Sequence, residues 1–249
     1  MAWSGQVTTL EDARGFAKVL LDETGDLFWT QTEQNALLNE ANRVVFRELV
    51  ATNPEYFIEN SSGPFTFTKD AQYVELNTAS ILGAGVLPYK IIGIEETESA
   101  AVPSRTNQAI KWRTMRFVDR NMVERTAGGS YGSVGRHYVL VRNRLYASPM
   151  PDQDINMHIY WINHLPDLTA DGHMLLATTL STTLTNGAAQ EFGDLVGVYL
   201  AKLMNSKQQG QNMTIEGLWQ EGLARMNNNA HMRNVDEPMS VRVTRAPWE

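Results

Sequence analysis

Apolar side chains recur every three or four residues near the start of the chain, which is the spacing of one face of a helix. Thr8-x-x-Glu11 resembles a capping box and predicts the start of a first helix. A second capping box, Thr30-x-x-Glu33, predicts a longer helix that ends at Pro54. The apolar positions of the two helices are Leu10, Ala13, Phe16, Ala17, Leu20 and Leu21, then Leu37, Leu38, Ala41, Val44, Val45 and Leu49. The chain therefore begins with a helical hairpin.

After residues 61–64 (Ser-Ser-Gly-Pro) the apolar positions form short runs that are typical of strands. The last three of these runs, joined by turns at residues 142–144 and 149–152, predict a β-meander. Residues 110–125 fit neither period, and the threonine-rich residues 174–185 favour a strand. The predicted strands are residues 65–68, 73–76, 91–94, 138–141, 145–147 and 155–162.

Helical spacing returns near Asn186 and continues to Leu203, and a shorter amphipathic helix over residues 215–226 follows it. Three asparagines at 227–229 are predicted to end that helix. The pattern predicts an α+β fold in which the terminal helices pack as a bundle, with a long antiparallel β insertion and an extended C-terminal arm. The predicted helical domain comprises residues 1–58 and 186–228, the β-rich insertion residues 59–185, and the arm residues 229–249.

The composition is that of an ordinary globular protein. Of 249 residues, 43% are hydrophobic and 20% are charged, so a sizeable core is available. No apolar run approaches 18 residues, and the first residues lack the basic-then-apolar pattern of a signal peptide, so we expect no membrane partner. The sequence contains no cysteine, which excludes disulfides and thiolate metal sites and suits synthesis in a reducing cytosol.

The net charge of −7 is unevenly distributed along the chain. Residues 1–104 contain 15 acidic and 6 basic residues, residues 105–144 contain 2 and 9, and residues 145–249 contain 11 and 6. The basic lobe, residues 105–144, has three interpretations: a solvated arginine-rich surface, a contact to an acidic neighbouring subunit, or a contact to nucleic acid. Its candidate subunit or DNA contacts are Arg113, Arg116, Arg120 and Arg125.

No pattern in the sequence points to catalysis. Neither Gly83-Ala84-Gly85 nor Gly128-Gly129 has the spacing of a phosphate-binding loop. The histidines at 137, 158, 164, 173 and 231 lack metal-ligand spacing, and Asp152 and Asp154 flank a proline turn in which aspartate is expected for turn geometry alone. We therefore expect no catalytic residues, no cofactor and no metal site.

Four motifs, taken in order, resemble a known family. They are the N-terminal helical pair with Trp29 and Thr30-x-x-Glu33; Leu37-Leu38-Asn39-Glu40-Ala41 on the second helix; the Tyr138-x-Leu140 strand with Leu145-Tyr146, the Pro149-x-Pro151-Asp152 turn and Tyr160-Trp161; and the late helix from Glu191 to Leu203. With these motifs, which extend over roughly residues 8–226, the chain resembles the head-to-tail adaptor (connector) proteins of tailed bacteriophages. The family's Leu-Pro-x-Asp motif corresponds here to Leu87-Pro88-Tyr89-Lys90, which lacks the acid.

The resemblance implies a structural virion protein without enzymatic activity. It implies a ring, usually of about twelve subunits, that docks beneath the portal protein at the capsid vertex and contacts a tail or nozzle protein. Genomic DNA would pass through the channel without specific binding, because sustained phosphate contacts would trap it. The arm would cross to a neighbouring subunit, with candidate contacts at Val241, Val243 and Trp248. The alternative function is a nucleic-acid-binding module that uses the basic lobe.

Overall fold

The computed structural model describes residues 6–22, 29–60, 65–76, 88–97, 113–114, 116–117, 137–141, 144–148, 154–183, 187–207 and 213–235. The described chain forms four α-helices and two small, mainly antiparallel sheets, which confirms the α+β class. It divides into two compact units, a helical unit comprising Met1–Tyr56 and Leu165–Glu249 and a β-unit comprising Phe57–His164. The helices are α1 (Leu10–Leu20), α2 (Gln31–Thr52), α3 (Ala188–Lys207) and α4 (Met213–Val235).

The helical unit is organised around α3, which packs against the other three helices. Gly197 of α3 lies against Ala13 and Phe16 of α1, and Gly193, four residues earlier, lies against Val7. Ala189 and Ala201 continue this spacing of small residues on α3, and all four are buried. A β-carbon added at Gly193 would lie 1.9 Å from the carbonyl oxygen of Val7. Small residues are therefore required where the N-terminal segment passes over α3, because any side chain would separate the two backbones.

The start of α1 lies one residue later than the sequence indicated. Thr9, not Thr8, is the N-cap, and its partner in the capping box is Asp12 rather than Glu11. The carboxylate of Asp12 also accepts hydrogen bonds from the backbone N–H and hydroxyl of Thr8, so Thr8 lies outside the helix. The amides of Leu10 and Glu11 donate to the carbonyls of residues 173 and 171, and all three early amides of α1 are thereby paired.

The predicted limits of α2 are confirmed. Thr30 and Glu33 form the capping box, and the helix ends at Thr52 with Asn53 as its C-cap. Pro54 then begins a single 3-10 turn, Pro54–Phe57. A proline ring at that position cannot continue an α-helix, so the end of α2 follows from the sequence directly.

Residues 165–183, which the sequence indicated as part of the β-rich insertion, belong to the helical unit. They form turns and bends instead of the predicted strand, with one isolated β-bridge between Met174 and Thr9. Asparagine side chains of α2 hold this segment. The Asn39 amide binds both the N–H and the carbonyl of Leu168, and Asn42 accepts the N–H of Leu176. Side-chain amides thus satisfy backbone groups that a strand would have paired with a neighbouring strand.

Helix α4 is longer than predicted. The asparagines at 227–229 do not end it, and the helix continues to Val235, so residues 229–235 are helical and not part of an extended arm. Trp219, Gly222 and Met226 are buried at helical spacing along the same helix. This packing outweighs the weak helix propensity of asparagine, which costs no more than about 0.7 kcal/mol per residue. The remainder of the predicted arm lies outside the described residues.

The β-unit contains two sheets. Its strands are β1 (Ile58–Asn60), β2 (Phe65–Phe67), β3 (Val74–Glu75), β4 (Pro88–Thr97), β5 (Arg113–Thr114), β6 (Arg116–Phe117), β7 (His137–Val141), β8 (Arg144–Ser148) and β9 (Ile155–Asn163). The five-stranded sheet has the order β1-β9-β4-β5, with β2 also paired to β9, and the four-stranded sheet has the order β3-β8-β7-β6. All pairs are antiparallel except β6 with β7.

The predicted β-meander is wrong in one respect. Strands β7 and β8 form a hairpin in the four-stranded sheet, but β9 lies in the five-stranded sheet. The inner faces of both sheets share one apolar core. Leu145 and Ala147 of the hairpin are buried there together with Met157 and Ile159 of β9, whereas a single three-stranded sheet would leave these faces exposed.

Candidate functional site

The two candidate contacts of the basic lobe that the structure describes, Arg113 and Arg116, lie on different sheets. Arg113 is in β5, where its backbone is in register with Glu96 of β4, and Arg116 is in β6, where its backbone is in register with His137 of β7. Only Met115 separates the two strands, so the chain crosses here from one sheet to the other. The structure therefore brings these two positions to one edge of the β-unit. Arg120, Arg125, Val241, Val243 and Trp248 lie outside the described residues.

The residues considered for acid-base or metal chemistry have structural contacts. A carboxylate oxygen of Asp154 accepts the backbone N–H of Lys69, 85 residues away in the sequence, at 2.7 Å, and Asp152 lies outside the described residues. His164 packs edge-on against Tyr89, and Nδ1 of His173 accepts two backbone amides of its own turn. Within the described ranges, no group of three acidic or histidine side chains is arranged to hold a metal ion.

A polar cluster lies on the face of the five-stranded sheet opposite the core. His158 of β9 is in register with Glu95 of β4 and is 1% exposed. The His158 and Tyr160 rings meet edge-on with centroids 5.0 Å apart, and the Tyr160 hydroxyl donates to Oε2 of Glu95 at 3.2 Å. Burial lowers the pKa of the His158 imidazole, while the charge of Glu95 opposes that shift. Burial and Glu95 together raise the pKa of Tyr160. At neutral pH the cluster therefore holds a neutral imidazole and a protonated phenol.

We expect this histidine to make the protein sensitive to mild acid. In the unfolded chain, His158 takes up a proton near the ordinary histidine pKa of about 6.5. In the folded chain its pKa is lower, so protonation requires a lower pH. As the pH falls below about 6.5, the unfolded state therefore binds more protons than the folded state. Stability is lost between that pH and the lower folded pKa, at no more than about 1.4 kcal/mol per pH unit. Urea unfolding from pH 7 to pH 5 measures this slope.

The matched variants are His158→Gln and His164→Gln, the second of which alters an exposed histidine of the same unit. The first should flatten the decline in unfolding free energy with falling pH, and the second should leave it unchanged. An identical slope in His158→Gln and the unaltered protein contradicts the assignment.

A second cluster lies on the outer face of the four-stranded sheet, at the β3–β8 pair. Cζ of Arg144 lies 4.3 Å from the centroid of the Tyr73 ring, and Nε and Nη2 donate to Oε1 of Glu75 at 3.3 and 3.2 Å. The Tyr73 and Tyr146 ring centroids are 5.6 Å apart with the planes tilted by 45°. We call Tyr73, Glu75, Arg144 and Tyr146 the tyrosine–arginine patch. The sequence did not indicate it, because its members are brought together by cross-strand register.

The helical unit has an open groove of about 500 Å³ between α1, α3 and α4. Phe16, Leu195 and Leu218 are among its apolar lining residues. Asp194 and Arg225 line the same groove and form an ion pair in which Nη2 of Arg225 donates to both carboxylate oxygens, at 2.6 and 2.8 Å. The groove thus combines an apolar floor with charged groups that satisfy each other.

Comparison with known proteins adds no family to these observations. None of the described helices is long and apolar enough to cross a membrane. No protein-family model matches the chain, and the search of curated proteins finds no similar sequence.

Proposed function

We propose that this chain is a structural adaptor of a tailed-phage virion: it forms a ring beneath the portal protein at the head–tail junction, contacts the tail or nozzle protein on the other side, and has no enzymatic activity. The observation that carries the proposal is the architecture. Both ends of the chain contribute helices to one unit, and a β-rich unit of residues 57–164 is inserted between them. The resemblance implies a helical part that faces the portal or the channel and a β part that faces the next tail component, and this division of the chain supports it.

The motif that carries the resemblance has a structural role in this fold. Leu38 and Ala41 are fully buried, and the amide of Asn39 holds the backbone of Leu168. Glu40 pairs with Arg43 at 3.3 Å, and Arg43 also contacts Asp167. The motif supports likeness in fold, because Asn39 directly, and Glu40 through Arg43, contact the segment that leads from the β-unit into α3.

Charge supports subunit contacts of the heterologous type that a ring requires. Arg113 and Arg116 belong to the basic lobe, while the segments on either side of it are acidic. Complementary charge between two different surfaces of the same chain fixes the register of neighbours around a closed ring and speeds their encounter. The affinity itself must come from other contacts, since exposed ion pairs contribute little.

The purified chain, mixed with the portal protein, should form a ring that native mass spectrometry detects as one assembly. A quadruple variant in which Arg113, Arg116, Arg120 and Arg125 are changed to glutamate should lose that assembly while keeping its thermal unfolding midpoint. Arg47→Glu is the control, since it reverses an exposed charge on α2 of the helical unit. A chain that remains monomeric and never associates with a portal contradicts the proposal.

A further inference from the structure

We propose that the tyrosine–arginine patch is a binding site for single-stranded nucleic acid, in which the two tyrosine rings stack on unpaired bases and Arg144 contacts a backbone phosphate. The inference does not depend on ring formation and assigns an activity that a passive channel would lack. It places the contact on described side chains of the four-stranded sheet, and its one arginine, Arg144, is the last residue of the basic lobe but not one of the four candidate contacts that the sequence indicated.

The register of the sheet places the patch on its outer face. Val74 is in register with Leu145, and both pack on the core side. Because side chains alternate along a strand, the residues on either side of these two point outward. Glu75 and Arg144 are themselves in register. Tyr73 is 36% exposed on a face that the core does not occupy, and Arg144 covers one side of its ring, so a base would stack on the other side.

The aromatic geometry suits stacking on bases. The two tyrosine rings lie 5.6 Å apart with their planes tilted by 45°, so they are not stacked face to face on each other. Base–aromatic stacking is worth about 1–3 kcal/mol per base and tolerates any sequence, because every base has a π-face. A duplex hides those faces in its own stack, so the tyrosine rings select unpaired strands.

Arg144 is the cation of the patch that a phosphate would contact. Arg144 is 44% exposed and directs two of its donors at one oxygen of Glu75, and a guanidinium has five donors in all. Residues 105–144, which include Arg144, contain nine basic and two acidic residues. A phosphate backbone is attracted to such a segment at low salt. Glu75 orients the guanidinium and at the same time competes with a phosphate for it.

Because Glu75 competes with a phosphate, substitutions at Tyr73 and Glu75 should change the affinity for nucleic acid in opposite directions. Fluorescence anisotropy with labelled oligothymidine and oligouridine, at a series of salt concentrations, should show binding by the full chain. Tyr73→Ala should weaken binding about tenfold or more, whereas Tyr73→Phe, which keeps the ring, should not. Glu75→Gln should tighten binding, because it removes the competing charge. Comparing the two oligonucleotides shows whether the site takes DNA, RNA or both, and binding of either supports it.

The control is Tyr89→Ala. Tyr89 is 38% exposed, much like Tyr73, but it lies on β4 of the other sheet and packs against His164. Its loss should leave the affinity for both oligonucleotides unchanged. Tyr146→Ala should also weaken binding. Because this ring is half-buried, the thermal unfolding midpoint of the variant is measured as well, to confirm that the protein remains folded.

Three results overturn the inference. They are the absence of binding to either oligonucleotide at low salt, equal affinities of Tyr73→Ala and Tyr89→Ala, and binding of a duplex as tight as that of the single strand. The last two would show that charge alone attracts the nucleic acid. None of these results affects the portal assembly, so failure of this site and failure of the adaptor function are separately recognisable.

Discussion

Replacing Gly193 with alanine is expected to destabilise the protein by about 3 kcal/mol or more. The new methyl carbon would lie 1.9 Å from the carbonyl oxygen of Val7, far inside contact distance, and the obstacle is backbone rather than a movable side chain. The segment that leads into α1 would have to move away from α3. Val7 and Leu10 are both buried, so such a movement exposes apolar surface and weakens the α1 cap. Urea unfolding monitored by circular dichroism measures the loss.

The chain offers matched controls for that substitution, because the same change can be made elsewhere in the helices. At Gly222 the added carbon would meet the end of the Leu195 side chain at 2.0 Å, which can rotate into the adjoining groove, so a smaller loss is expected. At Gly217 nothing lies within 4 Å. Gly217→Ala should stabilise the protein by about 0.5–1 kcal/mol, since alanine favours helix over glycine. If Gly193→Ala is as stable as Gly217→Ala, the close packing of α1 on α3 is wrong.

Replacing Asn39 with alanine is expected to cost about 2–4 kcal/mol. Its amide is bonded to both backbone groups of Leu168, with distances of 2.8 Å to the N–H and 3.2 Å to the carbonyl. Leu168 is 3% exposed, so water cannot replace both bonds without opening the segment. Asn42 similarly accepts the backbone N–H of Leu176. The φ of Leu176 is 53°, which is strained for a leucine, and burial together with this hydrogen bond stabilises that conformation. Thermal and urea unfolding measure the effect.

Asn39→Asp separates the two bonds. It keeps an acceptor for the N–H of Leu168 but places a second carboxylate oxygen against the carbonyl, so it should be at least as damaging as alanine. The control on the same helix is Glu48→Ala, which removes an exposed side chain and should change the unfolding free energy by less than about 0.5 kcal/mol. Equal stability of the Asn39→Ala and Glu48→Ala proteins contradicts this role.

The sequence was most informative where local chemistry alone decides the backbone. The capping box at Thr30 and Glu33 and the proline at 54 set the limits of α2 without reference to any other element. The first capping box was placed one residue early, because Thr8 and Thr9 both precede an acid at the required spacing and only contact with residues 171–173 distinguishes them. The spacing of threonine and acid therefore does not by itself distinguish two adjacent N-cap positions.

The candidate site was less predictable than the fold. Four candidate arginines were chosen for their charge, and of these only Arg113 and Arg116 lie among the described residues. The sequence does not indicate the tyrosine–arginine patch, because Glu75 and Arg144 are 69 positions apart and meet only through the pairing of β3 with β8. Alternation along each strand gives the face that a side chain occupies, but not the strand beside it.

The α+β class and the principal helices and strands follow from the sequence alone, since they depend on side-chain periods and caps within a few residues of one another. The separation of charge along the chain is likewise read directly from the residue types. Contacts between residues distant in the sequence set the other features. They place β9 in the five-stranded sheet, require glycine at position 193, assign residues 165–183 to the helical unit and extend α4 to Val235. Each of those outcomes depends on burial against distant residues, and the free energy of that packing exceeds the local preferences of the chain.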